Sequence, residues 1–136
     1  MSAQLGASEH MCHTRDYLKW LLGLLFVLAG INHFVHFAFY VSIMPPYLPY
    51  HTALVYVSGA VEVVMGMMLC IRRTERFAAW GLIALIVAVT PANLHMAIHA
   101  ELYPQFSMAV LWARLPLQGV LIACAFWFTG PRRIEK

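Results

Sequence analysis

Charge is what this chain has least of. Only 11% of its 136 residues are Asp, Glu, Lys or Arg, against roughly 25% in a soluble domain. With 62% hydrophobic residues and a mean hydropathy of +0.71, a water-soluble globule is excluded. The period-two alternation of barrel strands is missing as well, so helices are left to satisfy the backbone in lipid. Cysteine is sparse: Cys12, Cys70 and Cys124 share no close spacing. Neither CxxC nor CxxCH occurs, so a thioredoxin-like motif and a c-type haem attachment are absent. Cys70 and Cys124 read as small buried apolar residues. Lys and Arg are missing from the loop after the first apolar run, and the loop after the third holds only Glu101. A net charge of +3 distributed in this way reports topology and not nucleic-acid binding.

What is present is four apolar runs, residues 17–39, 52–71, 77–98 and 107–129. Each is long enough to cross the ~30 Å hydrocarbon layer as a helix. The expected fold is all-α, a four-transmembrane-helix antiparallel bundle at residues 17–129. A loose polar tail at 1–16 precedes it and a basic tail at 130–136 follows. Arg15 and Lys19 precede the first run, Arg72, Arg73 and Arg76 separate the second and third, and Arg132, Arg133 and Lys136 follow the fourth. Eight of the nine basic residues fall on one side if both termini are cytoplasmic, as the positive-inside rule demands. The expected location is the cytoplasmic (inner) membrane. No cleaved signal peptide is expected, because the first run follows Glu9, His10, Arg15 and Asp16 and is too long for a signal core. His10, Cys12 and His13 form a short cluster that reads as chance histidines in a tail, with metal binding as the alternative.

The runs are not uniformly oily. His33, His36, Glu62, Asn93, His95, His99, Arg114 and Gln118 interrupt them. Ionisable groups at such depth are expensive and commonly face protein or trapped water. Counted from the proline-rich end at 1.5 Å per residue, Glu62 lies roughly 15 Å down, near mid-membrane. All eight fall in the half away from the basic loops, so one polar, ligand-binding pocket near the outer face is expected. His33 with His36, Ser58 with Glu62, His95 with His99 and Arg114 with Gln118 each share a helical face. Asn93 lies about 160° from His95 around the helix, so both can face the axis only if Pro91 distorts it.

Glu62 is the leading candidate. A lone carboxylate at mid-membrane favours its neutral form, unless Arg114 or a protonated histidine stands beside it. It reads as a proton carrier or ligand anchor, or as a structural hub joining helices. Gln118 and Asn93 read as pocket lining or interhelical glue. The membrane histidines His33, His36, His95 and His99 read as satisfied histidines near an interface, bonded to carbonyls and water, with haem or metal binding as the alternative; no HExxH accompanies them. Gly59 and Gly66 slim the second run for close packing. The loop at residues 41–51, VSIMPPYLPYH, is stiffened by Pro45, Pro46 and Pro49. It reads either as a cover across the bundle mouth or as a tight connection at the headgroups.

Five stretches together carry a resemblance. They are GINHF at 30–34, IMPPYLP at 43–49, LVYVSGxxE at 54–62, PANLHM at 91–96 and RLPLQ at 114–118. In that order, from Leu18 to Phe128, the chain resembles the DoxX family of small four-span membrane proteins. The resemblance implies a four-helix bundle in the cytoplasmic membrane. It also suggests a link to oxidoreductases, since some relatives are linked to a thiosulfate:quinone oxidoreductase and others look like oxidoreductase partners; further relatives look like chaperones or trafficking receptors. His36, His95 and His99 match no residue of known role there.

Two functions compete. The first is a quinone-linked oxidoreductase subunit. Here His33, Glu62, Arg114 and Gln118 would supply hydrogen bonds and a proton route, and a haem or a membrane or extracytoplasmic oxidoreductase partner would carry the electrons. The second is a non-enzymatic membrane accessory or assembly protein whose pocket fixes a small ligand or a partner subunit. A proton-coupled carrier is a weaker third, because no inverted repeat is visible.

Overall fold

A computed structural model of the chain describes residues 2–130, with side chains from Thr14 onward. Helix α1 runs Ser2–Val35, α2 Phe37–Ser42, α3 His51–Cys70, α4 Glu75–Ile98 and α5 Met108–Trp127, with a 3₁₀ turn at Ala100–Leu102. No strand occurs among the described residues. The helix begins well before the expected end of the loose tail, at Ser2. The His10–Cys12–His13 cluster and the basic residues after Gly130 lie outside the described side chains. Four segments, Thr14–Val35, His51–Cys70, Glu75–Ile98 and Met108–Trp127, are long and apolar enough to cross a membrane. Their outward faces carry large apolar side chains such as Leu21, Leu28, Val57, Val87 and Val120. Water would not tolerate so continuous an apolar surface, and the chain is a multi-pass membrane protein.

Two apolar cores, one above the other, hold the bundle. Leu22, Phe26, Leu69, Ala78, Ala79, Leu82, Ile86, Ala125 and Phe128 form the first, nearer the basic end. Ile43, Met96, Ala97, Tyr103 and Leu111 form the second, under the proline-rich loop, with Tyr40 and Phe106 packed on it. That loop crosses the bundle end. Ile43 and Pro45 are buried, and Tyr47 meets the His95 ring edge-on at 5.2 Å between centroids. His51 Nε2–H donates to the Pro45 carbonyl at 3.0 Å and ties the loop to the start of α3. Of the two expectations for this segment, the geometry is that of a cover.

Helices α1 and α3 make the tightest contact, through glycines seven residues apart on each. A Cβ added to Gly23 would meet the Gly66 carbonyl oxygen at 2.8 Å, and one on Gly30 would meet that of Gly59 at 2.5 Å. In lipid no hydrophobic force drives helices together, so backbone approach through small residues supplies the packing.

At the basic end, Glu75 is only 3% exposed. It accepts from Arg15 Nη2 at 2.9 Å and lies 3.6 Å from Lys19 Nζ. Arg76 Nε donates to the Thr129 carbonyl at 2.8 Å, and Arg15 sits over the Phe128 ring at 5.6 Å. This cluster locks the start of the first span, within α1, and the start of α4 to the end of α5. Glu75 in the first turn of α4 also meets the positive end of the helix dipole.

Candidate functional site

Between the two cores every long helix turns a polar residue inward. On α1, His33 follows Leu22 and Phe26 of the lower core and precedes Tyr40 of the upper. On α3, Glu62 lies between Leu69 below and Val55 above, both buried. On α4, Asn93 is half-buried, seven residues from Ile86 and three from Met96, on their helical face. On α5, Gln118 is 8% exposed, seven residues from both Leu111 and Ala125. The result is a set of polar positions between the two apolar clusters, of which His33 and Glu62 are the pair in contact.

Its best-defined contact is His33 to Glu62. His33 Nδ1 lies 3.4 Å from Glu62 Oε2 and 2.9 Å from the Ala29 carbonyl oxygen. A carbonyl only accepts, so Nδ1 carries a hydrogen that is aimed mainly at Ala29. In the neutral tautomer that leaves Nε2 as the basic nitrogen. The ring stacks on Tyr40 at 3.9 Å between centroids and 23° between planes. Tyr40 Oη accepts from Asn32 Nδ2 at 2.9 Å, and Asn32 Oδ1 accepts from His36 Nδ1–H at 2.7 Å. Glu62 Oε2 and Gln118 Oε1 are buried without a hydrogen-bond partner among the described residues. Buried acceptors without donors are rare and call for an explanation.

The other sequence candidates stand apart from these positions. His36 is exposed at the one-residue break between α1 and α2. His95 and His99 stack on each other at 4.4 Å between centroids. His95 Nδ1 lies 3.3 Å from Tyr103 Oη, in the upper core. Burial pushes the Tyr103 phenol up, with Tyr47 nearby adding to the shift, so it stays a neutral hydrogen-bonder. Arg114 does not reach Glu62. Its Nη1 lies 3.7 Å from Met96 Sδ and its guanidinium 4.7 Å from the Phe106 ring centre, a cation–π arrangement. Asn93 and His95 remain on different sides of α4, which runs unbroken through Pro91. Among the described residues no group of three or more His, Cys, Asp or Glu could hold a metal ion.

Sequence reasoning passed over Asn32, Tyr40, Tyr103 and the Lys19–Glu75 pair. The first had a signal, being four residues before His36. So did Glu75, the one acid in a short loop with three arginines. Tyr40 and Tyr103 had none, because their roles depend on how the loops fold back.

A family model described as a domain of unknown function (DUF8561) matches residues 22–129. The chain belongs to that family. The matched stretch starts at a lower-core residue of α1 and ends beside Phe128, so it contains both cores and the polar positions between them. No curated protein matches the chain, and no solved structure does.

Proposed function

We propose that this DUF8561 member is a DoxX-like, quinone-linked subunit of a membrane oxidoreductase system. It binds the reduced carrier among these polar positions, and Glu62 and His33 handle its protons. The observation that carries this reading is the pair of buried oxygens without donors, Glu62 Oε2 and Gln118 Oε1. A hydroquinone brings two O–H donors on a flat apolar ring, the complement of two lone acceptors between hydrocarbon cores. Its oxidation releases two protons and two electrons. The hydroxyl that donates to Glu62 gives its proton to the ionised carboxylate. Gln118 accepts a hydrogen bond but no proton, so the second proton reaches Nε2 of His33 through a bridging water, and the electrons pass to a partner oxidoreductase. An apolar groove of about 810 Å³ lined by Val41, Leu48, Tyr50 and Tyr56 among others lies beside the cover and suits a hydrocarbon tail. The positive-inside rule puts the end with Arg72, Arg73 and Arg76 in the cytoplasm. The cover then faces an extracytoplasmic partner across the cytoplasmic (inner) membrane.

The test is titration of the detergent-purified chain with a short-tailed hydroquinone, followed by calorimetry. Saturable binding is expected. It should weaken about tenfold in Gln118→Leu, one hydrogen bond's worth, and more in Glu62→Ala. Binding that does not saturate, or that ignores both substitutions, sinks the reading. A partner subunit that co-purifies and is lost in Glu62→Gln, without hydroquinone binding, would point to the accessory role instead.

A further inference from the structure

Independently of the polar positions, the surface between α1 and α3 at the basic end carries a second feature. An apolar groove of about 380 Å³ is lined by Trp20, Gly23, Leu24, Val27, Met67, Cys70 and Ile71. Gly23 belongs to its lining where α1 packs on Gly66 and Cys70 of α3. The groove opens outward: Trp20, Leu24 and Met67 are all at least half exposed. From Trp20 to Val27 it follows two helical turns, roughly 10 Å along the bundle.

We propose that this groove holds one acyl chain of an anionic phospholipid, with the phosphate seated on Arg72 and Arg73. Arg72 follows Ile71 of the groove directly, and its side chain is 75% exposed, with only a 3.9 Å contact to Asp16 Oδ2. Arg73 and Arg76 are exposed as well. Asp16 is shared with Lys19 at 3.7 Å, and Glu75 is taken up by Arg15 and Lys19. Among the described residues this rim therefore sets five cations, Arg15, Lys19, Arg72, Arg73 and Arg76, against two carboxylates, and the excess lies on the exposed arginines. Tyr17, Trp20, Trp80 and Trp127, all exposed, ring the same end and mark the headgroup level. Any lipid tail could enter an apolar trough. The arginines at its mouth select the head, since a zwitterionic lipid brings an ammonium that they repel.

Native mass spectrometry of the full chain with equal phosphatidylglycerol and phosphatidylcholine tests this. Phosphatidylglycerol adducts should predominate. The preference should fall about fivefold for each arginine removed in Arg72→Gln and Arg73→Gln. Met67→Trp, which fills the groove from its rim, should reduce adducts of both lipids, and Leu24→Trp serves if that variant does not fold. Equal retention of the two lipids by the native chain overturns the proposal. So does a preference that survives both arginine changes. Charge dependence with no response to groove filling also overturns it, leaving surface attraction alone.

Discussion

Gly30 and Gly59 touch backbone to backbone: a Cβ on Gly30 would lie 2.5 Å from the Gly59 carbonyl oxygen, 2.7 Å from Val63 Cγ2 and 2.9 Å from Glu62 Cβ. This contact sits one turn from His33 on α1 and holds Glu62 at its side. It therefore sets the spacing of the candidate site as well as the helix pair. Gly30→Ala should force the helices apart and destabilise the bundle by about 1–3 kcal/mol. Gly119 is the control, because a Cβ there meets nothing within 4 Å. Gly119→Ala should stabilise its helix by up to about 1 kcal/mol. Unfolding of both variants in mixed micelles measures the difference, and equal effects would show that the close approach is unimportant.

The ion cluster at the basic end gives a second contrast. Glu75 and Lys19 side chains are each 3% exposed, and Arg15 is 15% exposed. Removing the acid from such a group leaves cations buried without compensation. Glu75→Gln should therefore cost roughly 3 kcal/mol of stability. Arg72→Gln, at an exposed and long contact to Asp16, should have no measurable effect. Chemical denaturation at low and high salt separates the cases, since a buried pair is screened little.

The four spans were legible because length and hydropathy suffice for them, and so was the polar character of Glu62 and Gln118. What the linear pattern could not convey was height and azimuth together. Counting from the outer ends placed all eight polar residues in one half. The folded chain instead sorts them by which side of each helix meets a core. His33, Glu62, Asn93 and Gln118 fall in the gap between two apolar clusters, while His95, His99 and Arg114 turn to Tyr103, Met96 and Phe106 of the upper one. Gly23 and Gly30 were unread for the same reason. Gly59 and Gly66 were readable as close-packing positions, but which glycines of α1 they meet depends on how the two helices pair.

Tyr50 carries the one positive φ of a non-glycine residue among the described residues, at 57°, and is 82% exposed. It follows Pro49 and opens α3, where the loop turns down into the bundle. The left-handed conformation costs a side-chain-bearing residue roughly 1–2 kcal/mol, and an exposed ring loses little packing when removed. Tyr50→Gly should raise the thermal midpoint, by a gain of about 1 kcal/mol at most once glycine's extra unfolded-state entropy is subtracted. A fall in the midpoint would mean that the Tyr50 ring contributes more than its exposure suggests.

Gln118 separates stability from function most sharply. Its Oε1 is buried without a donor, and the residue lies between Leu111 and Ala125, both fully buried. Without a donor that oxygen is a liability of about 1–3 kcal/mol, set by the desolvation of an unpaired acceptor. Leu is close to Gln in size and has no polar atom. Gln118→Leu should thus leave the bundle equally stable or raise its stability by about 1 kcal/mol, although the site is buried at mid-height. The same substitution removes one of the two acceptors proposed to meet the hydroquinone, so ligand-dependent stabilisation should shrink while ligand-free stability holds or grows. Measuring the unfolding midpoint with and without hydroquinone reads both quantities in one experiment. If Gln118→Leu instead destabilised the ligand-free chain by several kcal/mol, the amide would be an interhelical hydrogen-bonder and the polar set a structural seam.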